Sequence, residues 1–124
     1  MRARFTSTVL LCCLALAASI ALAGPAEAGR ASAVLVSGRE FSLTLSRASV
    51  SAGKLRVEFD NFGEDDHDLA ILRRSTGKVY RLPVVHPGDR AVINVPARRG
   101  SYVLWCTISN HKAKGMRAVL RVKR

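Results

Sequence analysis

Three side chains that bind soft metal ions stand close together near the end of the chain. Cys106, His111 and Met116 follow one another with four residues in each gap, in the pattern C-x4-H-x4-M. Thiolate and thioether groups bind Cu(I) well, and imidazole accommodates Cu(II). The pattern therefore indicates a loop that gathers three metal ligands and needs a further donor from elsewhere in the chain.

The sequence on both sides of this loop is typical of β-strands. Apolar and polar residues alternate in the segments 41–45, 55–59, 91–95 and 118–122, and turn residues separate the segments. Alternation with a period of two is typical of half-buried strands. About seven such strands predict one all-β sandwich. The residues before them, 29–37, are predicted to be an irregular lead-in.

The strand pattern also suggests the fourth donor. It places Cys106 at the end of one strand and Met116 just before the next, so the residues between them join two strand ends. His67 begins a strand after a turn-rich segment, whereas His86 lies in a turn predicted at the opposite end or a side of the sandwich. A zinc site would favour four Cys or His ligands, whereas two His, one Cys and a weak Met are diagnostic of blue copper. The predicted copper ligands are His67, Cys106, His111 and Met116.

The ligand segments resemble those of the cupredoxins, the family of plastocyanin and azurin. GSYVLWCTISNHKAKGM is similar to the copper-binding loop, with a spacing most like the auracyanin and sulfocyanin types. VEFDNFGEDDHDLAI is similar to the segment in which an Asn-x-Gly turn precedes the first His ligand. The resemblance covers about residues 41–122. It implies a Greek-key β-sandwich, one copper ion, the transfer of single electrons, and the same four ligands in the same order.

One position departs from the family pattern. Many cupredoxins have Asn after the first His ligand, and this chain has Asp68 there. Its backbone N–H can still bond the Cys106 sulfur, and its carboxylate can accept a hydrogen bond from Thr107. A carboxylate near the metal favours Cu(II), so the reduction potential cannot be carried over from the family. The acidic residues around His67 are predicted to form a solvated loop, with a role in raising the basicity of His67 as the alternative; they are Glu64, Asp65, Asp66 and Asp68.

The start of the chain has the features of a secretory signal peptide. Arg2 and Arg4 precede an apolar run of residues 9–23, and small residues follow. The run is shorter than the roughly twenty residues of a membrane span. We predict a signal peptide over residues 1–28 and one domain over residues 29–124, exported to the periplasm or cell surface. A retained membrane anchor is the alternative.

The predicted domain is strongly basic. Without the three charged residues of the predicted signal peptide, the 20 basic and 9 acidic residues of the chain fall to 18 and 8, a net charge of +10. Lys112, Lys114 and Arg117 follow His111 in the sequence, and by the resemblance His111 is the port for electrons. We therefore predict a redox protein or membrane complex with an acidic face as the partner. The alternative is a basic surface that only keeps the protein soluble.

These features predict a monomeric electron carrier and not an enzyme. The sequence shows no Ser/His/Asp grouping and no phosphate-binding loop, so no small-molecule substrate is expected. Nucleic acid is not expected either, because the few aromatic residues fall mostly in inward strand positions. Two alternatives remain: a protein that binds and delivers copper, and a non-redox cupredoxin module of a larger complex. Exposed Met and His runs would favour delivery, but the chain has only two methionines.

Overall fold

Residues 31–124 are described by the computed structural model, and they form nine β-strands without a helix. No helix in this range is therefore available to span a membrane. The predicted signal peptide, residues 1–28, lies outside the described residues. The strands are β1 (Ser32–Arg39), β2 (Ser42–Leu45), β3 (Ser49–Ser51), β4 (Gly53–Asn61), β5 (His67–Arg73), β6 (Val79–Val85), β7 (Arg90–Ala97), β8 (Gly100–Trp105) and β9 (Arg117–Lys123).

The strands form two sheets. The four-stranded sheet has the order β2-β1-β4-β7, and the five-stranded sheet has the order β3-β9-β8-β5-β6. Strands β1 and β4 run parallel, as do β3 and β9, and the other neighbours are antiparallel. Because sequential strands often lie in different sheets, the chain crosses repeatedly between the layers, as in Greek-key sandwiches. The prediction of an all-β sandwich is confirmed.

The core lies between the sheets and is built from alternate residues of the strands. Phe59 and Tyr102 are its largest fully buried side chains. Each large apolar side chain buried in this way contributes about 1.5–3 kcal/mol. The other fully buried aliphatic side chains include Val34, Val36, Leu55, Val57, Leu69, Ile71, Leu104 and Leu120. This packing makes a firm base for the loops at each end of the strands.

Strand β1 is the main difference from the sequence-based expectation. The prediction of an irregular lead-in over residues 29–37 is wrong for its described part, which is strand from Ser32 onward. Strand β1 lies between β2 and β4, with Val34 and Val36 buried. The short apolar run of residues 33–36 is consistent with a buried strand. Pairing with β2 and β4 on both sides stabilises the strand conformation.

The direction of the strands brings the predicted ligand segments to one end of the sandwich, here called the upper end. Strand β8 ends there just before Cys106, β5 begins there with His67, and β9 begins there just after Met116. His86 also lies at this end, at the edge of the sheet, and not at the opposite end. The reason is that β6 pairs antiparallel with β5, so that Val85 lies opposite His67.

Candidate metal centre

Three of the four predicted ligands converge on one point. The Nδ1 atoms of His67 and His111 are 3.2 Å apart, and the Cys106 Sγ lies 3.9 Å from the first and 3.6 Å from the second. A point equidistant from the three atoms lies about 2.1 Å from each, close to the 2.0–2.3 Å of metal–nitrogen and metal–sulfur bonds. The three side chains therefore fit a single metal ion without rearrangement.

The site is shielded from solvent. His67, Cys106 and Met116 have no exposed surface, and His111 is 7% exposed. Burial raises the pKa of the Cys106 thiol, and hydrogen bonds from the backbone N–H groups of Asp68 and Ile108 act in the opposite direction. A bound cation would instead favour the thiolate, because metal binding releases the thiol proton.

Met116 is held beside the other ligands of its loop. Its backbone carbonyl accepts a hydrogen bond from the Cys106 N–H (3.2 Å), and its own N–H donates to the His111 carbonyl (3.0 Å). The side chain belongs to the buried core cluster that also contains Cys106 and Phe59. The fourth predicted ligand is therefore buried with the trio and fixed to two of its members through the backbone.

The loop between β8 and β9 is held by short-range hydrogen bonds. The His111 N–H donates to the Ile108 carbonyl (3.1 Å), and the Gly115 N–H donates to the Lys112 carbonyl (3.2 Å). Gly115 has a φ of 120°, and a Cβ there would lie 3.1 Å from the Phe41 carbonyl oxygen. Glycine is thus required where the loop turns back toward β9.

Asp68 joins the two ligand segments. Its Oδ1 accepts a hydrogen bond from the Thr107 N–H (2.5 Å), and its Oδ2 accepts one from the Thr107 hydroxyl. The expected hydrogen bonding between this carboxylate and Thr107 is confirmed. Asp68 follows His67 and Thr107 follows Cys106, so the bonds fix the relative positions of these two ligands.

Asn61 shapes the turn that leads to His67. Its side-chain amide donates to the Asp65 and Val85 carbonyls, both at 2.8 Å, and its Oδ1 accepts from the Gly63 N–H at 2.9 Å. The residue is 1% exposed. A buried amide with three bonds of this kind holds the turn in one conformation.

Glu40 contacts the site although sequence analysis did not single it out. Its Oε1 accepts hydrogen bonds from the backbone N–H groups of Glu64 and Asp65 and from the Nε2 of His67, each at 2.9 Å. The bond from Asp65 contributes most to lowering the pKa of Glu40 to about 2. Glu40 follows β1, so recognising that strand would have placed it at the upper end.

Of the acidic residues around His67, Glu64, Asp65 and Asp66 are exposed, which agrees with the expectation of a solvated loop. Glu64 and Asp65 offer backbone N–H groups to Glu40, while the Asp66 carboxylate lies 2.7 Å from the Nδ1 of His86. Within residues 31–124, the His, Cys and acidic side chains that cluster in one metal-sized group are His67, Cys106 and His111. His86 is outside that group.

The exposed edge of His111 has aromatic and basic neighbours. Its ring lies 4.9 Å from the Phe41 ring, centroid to centroid. The ammonium group of Lys114 lies 4.1 Å from the Phe41 ring centroid, and that of Lys112 lies 4.4 Å from the Trp105 ring centroid. The lysines are thus positioned by cation–π contacts at the rim of the site.

Solved structures with this architecture define the fold as that of the cupredoxins. Reduced auracyanin from the photosynthetic bacterium Roseiflexus castenholzii is 20% identical, with a TM-score of 0.58 over 78% of this chain and 99% of that one. Auracyanin A, a blue copper protein from Chloroflexus aurantiacus, is 12% identical, with a TM-score of 0.59 over 75% of this chain and 99% of that one. A multicopper oxidase is 18% identical, with a TM-score of 0.53 over 76% of this chain and 42% of that one.

No protein-family profile matches the chain, and no curated protein matches it significantly. The expected resemblance to cupredoxins is confirmed by the fold, at identities where sequence comparison carries little information.

Proposed function

We propose that the chain is an exported type 1 copper protein that carries single electrons between redox partners. The observation that supports this most strongly is the equal distance, about one metal–ligand bond length, from three buried donor atoms to one point. Two imidazoles, one thiolate and a buried thioether form the donor set of a blue copper centre. His67, Cys106 and His111 would form the strong set, and Met116 would be the axial ligand.

The protein's part in electron transfer is to keep this donor set fixed. Copper, when bound, supplies a couple that exchanges one electron without bonding a substrate. The strands and the Asp68–Thr107 bonds hold the ligands in place, and the core excludes water. A site that rearranges little between two oxidation states exchanges electrons readily, and the slightly exposed His111 offers the shortest way in.

An electron carrier fits the described residues better than an enzyme does. They bring together one metal-sized group of ligands, whereas the multicopper oxidase of the same fold is more than twice as long as the part it shares with this chain. We therefore propose a monomer that has one copper and acts on no small molecule.

We propose a partner from the charge around His111 and a location from the start of the sequence. The lysines around His111 would favour a redox protein or membrane complex with an acidic face. The predicted signal peptide would take the protein to the periplasm or cell surface.

Addition of Cu(II) to the purified, metal-free chain tests the proposal. We expect an intense blue absorption band from charge transfer between the Cys106 thiolate and copper, at one copper per chain. Cys106→Ser should abolish the band, and Met116→Leu should keep the colour but shift the reduction potential. His86→Asn is the matched control, because it removes a histidine of the upper end that lies outside the ligand group.

Two results would contradict the proposal. A colourless complex, or a Cys106→Ser protein that keeps the band, would show that the thiolate does not bind copper. Rapid loss of copper to a chelator without reversible one-electron voltammetry would favour copper delivery instead.

A further inference from the structure

One carboxylate oxygen of Glu40 contacts both the loop before β5 and the first residue of β5. The Glu40 Oε1 accepts from the N–H groups of Glu64 and Asp65 and from the ring of His67. The Glu40 side chain is 27% exposed and the His67 side chain is fully buried. The Glu40 carboxylate therefore covers the outer side of the pocket. It contacts the Nε2 of His67, while the Nδ1 of the same ring faces the metal position.

We propose that Glu40 is a positioning residue that orients His67 and strengthens it as a metal ligand. This inference rests on the proposed copper function. A carboxylate that accepts from Nε2 keeps the proton on that nitrogen, which leaves the Nδ1 lone pair free for the metal. The negative charge also makes the imidazole a stronger donor, and it favours the oxidised over the reduced ion.

Gly63 makes room for this arrangement. A Cβ at Gly63 would overlap the Glu40 carboxylate group. Its N–H is held by Asn61, so the backbone cannot easily move aside. Gly63→Ala should therefore displace the carboxylate while leaving it in the chain, which provides a second, independent way to disturb the contact.

The test combines two substitutions at Glu40 with metal-binding and NMR measurements. In Glu40→Gln the amide oxygen can keep all three hydrogen bonds, so only the charge is lost, and we expect the blue band to remain with a more positive potential. In Glu40→Ala the bonds are lost, and the affinity for Zn(II), measured by chelator competition, should fall about 10- to 100-fold. In the metal-free Glu40→Ala and Gly63→Ala proteins, ¹⁵N NMR should show loss of the predominant Nε2–H form of His67.

Asp66→Asn is the matched control for charge. It removes one negative charge next to His67 in sequence, but Asp66 contacts His86 instead. Equal shifts of the reduction potential in Glu40→Gln and Asp66→Asn would overturn the proposal. It would also be overturned if Glu40→Ala kept the Zn(II) affinity of the wild-type chain and the Nε2–H form of His67. If the wild-type chain gave no blue colour, the copper function would fail, while zinc affinity and NMR would still decide the role of Glu40.

A separate observation concerns the end of the sandwich opposite the metal site. Backbone contacts join its segments: Gly53 pairs with Ala97, the Arg74 N–H donates to Ser101 (3.1 Å), and the Ala52 N–H donates to Lys123 (2.9 Å). The exposed basic residues on these segments, here called the basic end, are Lys54, Arg74, Lys78, Arg98, Arg99, Arg121, Lys123 and Arg124.

Acidic residues are segregated away from the basic end. All eight acidic residues of the range 31–124 lie in the half nearer the metal site: Glu40, Glu58, Asp60, Glu64, Asp65, Asp66, Asp68 and Asp89. Strand β1 also starts at the basic end, since Ser32 pairs with Leu55.

We infer that the basic end binds an anionic phospholipid surface and directs the metal site away from it. Clustered Lys and Arg residues are attracted to anionic headgroups within about one Debye length of the surface. The absence of acidic residues among the described neighbours removes the repulsion that would oppose this contact.

Vesicle binding by the full chain tests this second inference. We expect binding to phosphatidylglycerol–phosphatidylcholine vesicles, weakening with salt, and much less binding to phosphatidylcholine alone. The double variant Arg98→Glu/Arg99→Glu should abolish the preference for anionic vesicles. The double variant Lys112→Glu/Lys114→Glu makes the same charge change at the metal end and should preserve this preference. Equal losses in the two variants, or no preference for anionic vesicles, would overturn the inference.

Discussion

At the scale of single residues, the centre depends on which atom of each ligand faces the metal position. The Nδ1 atoms of both histidines face the Cys106 sulfur, and Glu40 holds the far nitrogen of His67. Residue types and spacing were sufficient to predict that His67, Cys106 and His111 lie together, because copper chemistry restricts both. The Glu40 contact could not be predicted in this way, since it joins residues 27 positions apart in the sequence.

The pair of His86 and Asp66 gives a pH-dependent prediction at this scale. The Asp66 carboxylate, through its hydrogen bond and charge, raises the pKa of His86 above its usual value. The pair should stabilise the fold below the ordinary His pKa of about 6.5, and this contribution should be lost as pH rises through the higher pKa of the folded state. NMR titration should show the raised pKa, and Asp66→Asn should lower it. An unshifted pKa in the wild-type chain would contradict the prediction.

At the scale of elements, the strands bring the ligand loops together. The alternating pattern was enough to predict most strands and the position of the ligands at strand ends. The alternating pattern did not predict β1, whose inner face has Gly38 close to the core. It also did not predict the position of His86, which depends on the pairing of β5 with β6. Pairing between distant segments is a tertiary property and leaves little trace in local sequence.

Gly38 in β1 provides the test at this scale. A Cβ there would lie 2.8 Å from the Phe59 ring and 3.2 Å from the Met116 Cε. Gly38→Ala should therefore force side chains of the core apart and lower the free energy of unfolding by about 1–3 kcal/mol. Denaturant unfolding of the metal-free chain measures this, with Ser37→Ala in the same strand as the control. A destabilisation no larger than that of the control would contradict the packing described for β1.

At the scale of the whole molecule, charge is distributed unevenly along the sandwich. Basic residues at both ends account for the net charge noted in the sequence, but composition could not show that the acidic residues gather toward the metal site. The lysines beside His111 have acidic residues within the same half of the molecule. The rim of the metal site and the basic end are therefore expected to meet different partners.

Electron exchange with an acidic redox protein should depend on salt. Attraction between the lysine rim and the acidic face should make the rate fall as ionic strength rises. Lys112→Glu/Lys114→Glu should slow exchange at low salt and flatten this dependence, and Arg98→Glu/Arg99→Glu should have a smaller effect. Stopped-flow kinetics measure both; a rate that is constant or rises with salt would contradict the proposed steering.

X-ray absorption at the copper edge of the loaded chain tests the central claim most directly. We expect two nitrogen ligands and one sulfur ligand, all within about 2.0–2.3 Å of the copper. Loss of the sulfur contribution in Cys106→Ser should confirm its origin. A copper shell made only of nitrogen and oxygen would contradict the account.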